Sequence, residues 1–208
     1  MAGRCPWCGD LEIYVDYHDH EWGVPEWDSR NLWEMLMLEC FQAGLSWITI
    51  LKKREAFRQV FEGFDPHRIA HWGEPQVLEA LANPGIIRHR AKIEATIRGA
   101  RAYLRLEAQQ GFARFIWDHQ AGRVQQTAPA SLAEVPAQTL VSQQLSRSLK
   151  AEGFGFCGPV ICYAFMQASG MVNDHLLHGP AHDRVACLSQ SAPWLRETDS
   201  LAAREKPF

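Results

Sequence analysis

The chain has 208 residues, 47% hydrophobic and 22% charged, a balance that suits a globular protein with a sizeable core. Its formal charge of −3 gives no overall pull toward nucleic acid, so any such contact must come from a local basic face. No apolar run approaches the roughly 20 residues of a membrane span, and the opening MAGRCPWCGDLEIY lacks the apolar core of a secretory signal, so the expected location is cytoplasmic. There, six cysteines read as thiols or metal ligands rather than a disulfide framework.

Residues 1–30 show little periodicity, yet they hold Cys5, Trp7, Cys8, Tyr14, Tyr17, His18, His20 and Trp22. From residue 31 the pattern is mostly helical. A first helix is predicted over about 30–43, stopping at Gly44, a good C-terminal residue. Ser46 is placed to cap a second helix carrying Trp47, Ile50, Leu51, Phe57 and Phe61 to about residue 62. Two short helices are expected from Pro66 and Glu74, and Asn83-Pro84-Gly85 then breaks the pattern. A long helix follows to about 109, residues 111–137 are irregular, and helices resume at about 138–151 and 158–170. The stretch from Leu176 is polar and reads as loosely ordered beyond about 195. Strand signals are weak throughout, so the predicted class is all-α, in one domain or one domain with a small appendage.

Within the first helix Leu32, Leu36, Glu39 and Ala43 share one stripe, and Trp33, Met35, Met37 and Leu38 make the other faces apolar. A helix apolar on nearly every side is internal, so Glu39 stands where a charge is unfavourable unless paired. Glu39 is either a structural carboxylate with a local donor or a pocket carboxylate awaiting a cationic or donating ligand. Trp7, Tyr14, Tyr17 and Trp47 flank it in the sequence. Aromatic stripes are usually core, but an aromatic box around one buried carboxylate also suits a flat, electron-poor ring.

Two other clusters carry chemistry. Around Gly85-Ile86-Ile87-Arg88 a hairpin between helices would leave amide groups at a helix N-terminus, where a phosphate can dock. Arg88, Arg90 and Lys92 surround it, with Arg98, Arg101 and Arg105 beyond; the alternative is an ordinary solvated basic face. Cys5, Cys8, His18 and His175 form the second cluster. A Cys-x-x-Cys redox pair needs a strand ahead of it, and four residues leave no room. Ligands drawn from both ends of a chain are what a structural zinc uses, against the alternative of unrelated thiols and histidines. His178 and His182 lie nearby.

Taken together, Tyr17-His18-Asp19-His20-Glu21-Trp22-Gly23-Val24-Pro25, Leu38-Glu39 with Gln42-Ala43-Gly44-Leu45-Ser46-Trp47, Gly85 to Arg90, Ile161-Cys162-Tyr163 and Val172-Asn173-Asp174-His175 resemble the 3-methyladenine DNA glycosylase I family. The resemblance runs from Cys5 to His175 and implies an all-α helix–hairpin–helix glycosylase fold whose termini are tied by zinc. The domain expectation becomes a single glycosylase domain over 1–208, with a helical core at about 30–170 and zinc-linked ends at about 1–30 and 171–190. The implied activity is monofunctional: flipping and excising 3-methyladenine from alkylated double-stranded DNA, leaving an abasic site and the free base. A monomer and no membrane partner are expected. The alternative is a non-catalytic module that recognises alkylated DNA.

By the same resemblance Glu39 is the catalytic carboxylate, Tyr17, Trp47, Trp7 and Tyr14 bind the base, and Leu45 wedges the base stack. Gly85, Ile86 and Arg88 hold the DNA backbone. Cys5, His18 and His175 match three zinc ligands, but the family's fourth, a cysteine, is Gly179 here. His182 is the expected substitute, with His178 or Cys8 behind it. The family lacks the aspartate that related glycosylases use, so Asp19, Asp28 and Asp174 are given no catalytic role; they read as loop residues or helix caps, and Asp174 as a possible partner orienting His175. Gly99 replaces the family's usual asparagine, removing a capping or DNA-facing side chain.

Overall fold

The chain is helical almost throughout in a computed structural model that describes residues 4–188 and 191–195. Asp28 starts the first long helix by accepting from the Arg30 and Asn31 amides, and α2 runs Ser29–Gln42. Leu32, Trp33, Leu36, Met37, Leu38 and Phe41 on it are all buried, so α2 is the central helix of the core. Gly44 follows at φ +83°, a left-handed turn that favours glycine, and the chain reverses there.

The predicted helix over 46–62 is two pieces, α3 (Trp47–Leu51) and α4 (Arg54–Val60). The turn at Lys52 and Lys53 redirects the chain so that Phe57 and Phe61 enter the core. Ser46 stands at the start of α3, but its hydroxyl pairs with Thr49 Oγ1 at 2.8 Å instead of capping an amide. Next come α5 (Pro66–Ile69), α6 (Glu74–Ala82) and the long α7 (Arg90–Gln109), which packs on α2, α5 and α6. In the expected irregular region lies α8 (Phe112–Trp117). Helices α9 (Leu140–Glu152) and α10 (Pro159–Ala168) pack on each other, and α10 also covers α2.

Besides α8, two helices escaped the sequence reading. One, α1 (Glu12–His20), carries Tyr14, Tyr17 and His18 at helical spacing, a pattern blurred by exposed Leu11 and Ile13 and four charged or imidazole side chains. The other is α11 (Pro180–Leu188), which follows directly after the Gly-Pro break. The only ladder among the described residues pairs β1 (Gln125–Gln126) in parallel with β2 (Val172–Asn173), too short to signal itself in sequence. The expected loose tail beyond 195 lies outside the described residues. Gly99 faces inward, against the expectation of a DNA-facing position: a Cβ there would stand 3.2 Å from the Trp33 ring and 3.3 Å from Phe154. Trp33 fills the space a side chain at 99 would occupy.

Candidate active site

Three separate segments bring the aromatic residues to Glu39. A 3₁₀ turn at Pro6–Cys8 presents Trp7, α1 presents Tyr14 and Tyr17, and α3 begins with Trp47. With Glu39 they line one cavity of about 190 Å³. The ring centroids of Trp7 and Tyr14 are 5.1 Å apart, and those of Tyr17 and Trp47 5.4 Å, so the walls are mutually packed aromatic faces.

Glu39 is 3% exposed, and its Oε2 is buried without a hydrogen-bond partner. Burial alone lifts its carboxyl from 4.5 to about 8, so at neutral pH it is mostly protonated when no base is bound. Tyr17 is also held neutral: burial first, then the nearby Glu39, raises its hydroxyl well above the usual range. Two more polar atoms on the same walls are orphaned, Gln42 Oε1 and Trp47 Nε1. Each unpaired buried group is unfavourable by about 1–3 kcal/mol. Three on one cavity mark a surface arranged for a polar, flat ligand that supplies the missing partners.

Sequence reasoning missed Gln42, Trp22, Gln167 and Asp174, which share this cavity. Gln42 was findable, three residues after Glu39 on the same helix face; the others arrive from distant segments. Asp174 lines the cavity, yet it accepts from Tyr163 Oη, Gln167 Nε2 and Thr127 Oγ1 at 2.7, 2.7 and 2.6 Å, which makes it a wall post rather than a free base. It does not orient His175; Asn173 Oδ1 does, at 3.1 Å from Nδ1.

The turn between α6 and α7 places Ile86 in the core and leaves Arg88 exposed without an ion pair to a described residue. Gly85 donates its amide to Asn83 Oδ1 at 2.8 Å. A Cβ at Gly85 would stand 2.9 Å from both Ala56 Cβ and Asn83 Oδ1, so the turn is held close to α4. Arg90 is engaged by Glu74 through two 2.9 Å bonds and is no free phosphate ligand. Lys92 is not on the basic surface at all: it is 6% exposed. Leu45, by contrast, projects from its turn at 41% exposure.

Residues 7–182 match the sequence profile of the methyladenine glycosylase family. The chain belongs to this family. It is similar to DNA-3-methyladenine glycosylase 1 of Escherichia coli (strain K12), 50% identical over 84% of this chain and 94% of the relative. A crystal structure of a 3-methyladenine DNA glycosylase I superposes with a TM-score of 0.84 at 52% identity, covering 85% of this chain and 98% of that one. The Staphylococcus aureus 3-methyladenine DNA glycosylase I, whose structure addresses 3-methyladenine recognition, superposes at 0.83 with 36% identity over 86% and 96% of the two chains.

The family's zinc site is only partly reproduced by the residues present. The His18 and His175 imidazoles are 5.0 Å apart, and the Cys5 backbone amide meets His18. Gly23, at φ +80°, admits them: a Cβ there would lie 2.7 Å from His175 Cε1. Each histidine has its Nδ1–H fixed, His18 by Asp19 at 2.8 Å and His175 by Asn173, so both Nε2 atoms carry lone pairs. His18 Nε2 accepts the Cys5 amide at 3.3 Å, while His175 Nε2 is buried and unpartnered. The expected fourth ligand, His182, is engaged elsewhere: its Nε2 donates to Thr127 O at 2.9 Å. His178 is exposed, and the Cys8 thiol donates to Cys5 O at 3.2 Å. Among the described residues no three such side chains stand together at metal-holding distance. The residues present therefore do not form the closed four-coordinate kind of site. Arg4 supports this end independently through a bidentate pair with Asp19, whose carboxyl that pairing holds at about 2. Burial raises the thiols of both Cys5 and Cys8, which disfavours the thiolate that redox exchange needs.

Proposed function

We propose that this protein is a monofunctional DNA glycosylase that excises 3-methyladenine from alkylated DNA. The observation that carries this reading is the buried Glu39 carboxyl, its Oε2 without a partner, in an aromatic cavity. Adenine presents a donor, the 6-amino group, beside an acceptor, N7. Glu39, ionised beside a cationic base, accepts from that amine. Guanine offers two acceptors and no donor on the same edge, so a carboxylate there has nothing to accept from.

Methylation at N3 makes the base a cation. In the cavity its charge favours the Glu39 carboxylate, and the faces of Trp47, Trp7 and Tyr14 add cation–π attraction in a site shielded from water. The bond from the sugar carbon to the base then breaks with its electron pair leaving on the base, which departs neutral. Water adds to the sugar carbon and loses its proton to solvent, leaving an abasic site. No strong acid is required, which agrees with Asp174 being fully engaged.

Leu45 is read as the wedge that fills the vacated stack. The α6–α7 turn is read as the hairpin of a helix–hairpin–helix that grips the backbone, with Arg88 as its free cation. Base release from methylated DNA tests the reading: chromatography is expected to show free 3-methyladenine. Binding to methylated DNA without release would move the protein to the damage-recognition class.

Zinc is a separate proposal, on Cys5, His18 and His175, and no step of excision runs through it. Three donors make an open site, so metal analysis is expected to find zinc that dialysis against EDTA removes, and none in Cys5→Ser. Zinc surviving EDTA would mean that a fourth donor closes the site.

A further inference from the structure

The last carbonyls of α2 have no partners within their own helix. Two are satisfied from far along the chain: Lys92 Nζ donates to Phe41 O at 2.8 Å and to Ala43 O at 2.7 Å. Lys92 lies in the first turn of α7, immediately after the α6–α7 hairpin. The ring of Phe156 closes over the ammonium, 5.5 Å from centroid to Nζ. No carboxylate pairs with this charge among the described residues; its counterpart is the negative end of the α2 dipole. Desolvation pulls the ammonium below its usual range, a sign of how thoroughly it is enclosed. Leu45 sits directly past these carbonyls, its amide bonded to Gln42 O at 2.6 Å.

We propose that Lys92 is a positioning residue for base extrusion, locking the Leu45 turn to the hairpin so that backbone grip and wedge act as one rigid body. This rests on the reading of Leu45 and the hairpin as DNA-contacting elements. A second tie supports the rigid-body picture: Lys53 Nζ donates to the Pro84 carbonyl at 2.8 Å. Without the Lys92 tie, the Leu45 turn can shift by an ångström relative to the hairpin. Misplacement on that scale lowers rates on the order of 10²-fold when geometry controls the step.

The test compares Lys92→Met with wild type on a methylated single-stranded oligonucleotide and on the same strand annealed to its complement. Only the duplex requires unpairing and unstacking. Single-turnover release from the duplex is expected to fall about tenfold or more, with single-strand release and free 3-methyladenine affinity within about twofold of wild type. In a Leu45→Ala background, Lys92→Met should add no further duplex-specific loss. Equal losses on both substrates, no loss, or additive losses with Leu45→Ala would overturn the proposal. Should Leu45→Ala alone leave duplex release unchanged, the wedge reading fails and this proposal with it. No release by wild type would instead sink the glycosylase reading. If the methionine variant does not melt cooperatively, Lys92→Gln, which keeps a shorter donor, replaces it in the same assays.

Discussion

Glu39→Gln is expected to lower release of 3-methyladenine by on the order of 10²–10³-fold, the usual effect of removing one preorganised polar group from a water-poor site. The amide keeps the shape, an acceptor and a donor, but it cannot become anionic beside a cationic base. Stability should move the other way. Wild-type Glu39 titrates near 4.5 when unfolded and at about 8 when folded, so between those values the folded state holds the extra proton. Unfolding free energy therefore falls as pH rises through that window, by roughly 2–4 kcal/mol for so large a gap. The glutamine variant lacks this slope. Its melting temperature should exceed that of wild type near pH 8, with the advantage shrinking toward pH 5. Unchanged release would remove Glu39 from the mechanism. Parallel melting curves at all pH values would show that the carboxyl is hydrated and titrates normally.

The second large effect concerns Trp47. Trp47→Ala is expected to weaken binding of free 3-methyladenine about 10–100-fold, since stacking one base on an aromatic side chain contributes about 1–3 kcal/mol. Calorimetry with the free base reads this without the complication of DNA binding. Trp47 also packs against Tyr17, so thermal unfolding of the same sample is needed to separate lost stacking from a disturbed wall. Trp47→Phe divides the two functions of the indole: it keeps a stacking face and deletes the Nε1–H that stands buried without a partner. Affinity close to wild type in Trp47→Phe would make the ring the dominant contribution. A loss as deep as that of alanine would make the N–H a direct donor to the base. Unchanged affinity in Trp47→Ala would leave the tryptophan purely structural.

Much of this was legible in the chain. The burial of Glu39 followed from apolar residues on every side of α2, because a helix with no polar face has nowhere to go but inside. The long α7 and the break before it followed from periodicity and from Asn-Pro-Gly. The proposed roles of Tyr17, Trp47 and Leu45 came from the family resemblance, since no local rule assigns them. Elements that carry charge on both faces, such as α1, or that are only two residues long, such as β1, left no periodic trace.

Lys92 shows the limit most sharply. In sequence it is one of several cations around a hairpin; in the fold it is enclosed, with its ammonium committed to two carbonyls some fifty residues away. Arg90, two positions earlier, is consumed by Glu74, and His182 by the Thr127 carbonyl. By itself, the sequence determined most of the long helices, their apolar faces, and which side chains have the chemistry for base recognition. Those properties are local, set by propensity, periodicity and residue type. Only the tertiary structure decided which cations, histidines and carboxylates remain free. A polar group's partner is chosen by proximity after packing, and proximity in a helical core does not follow sequence distance.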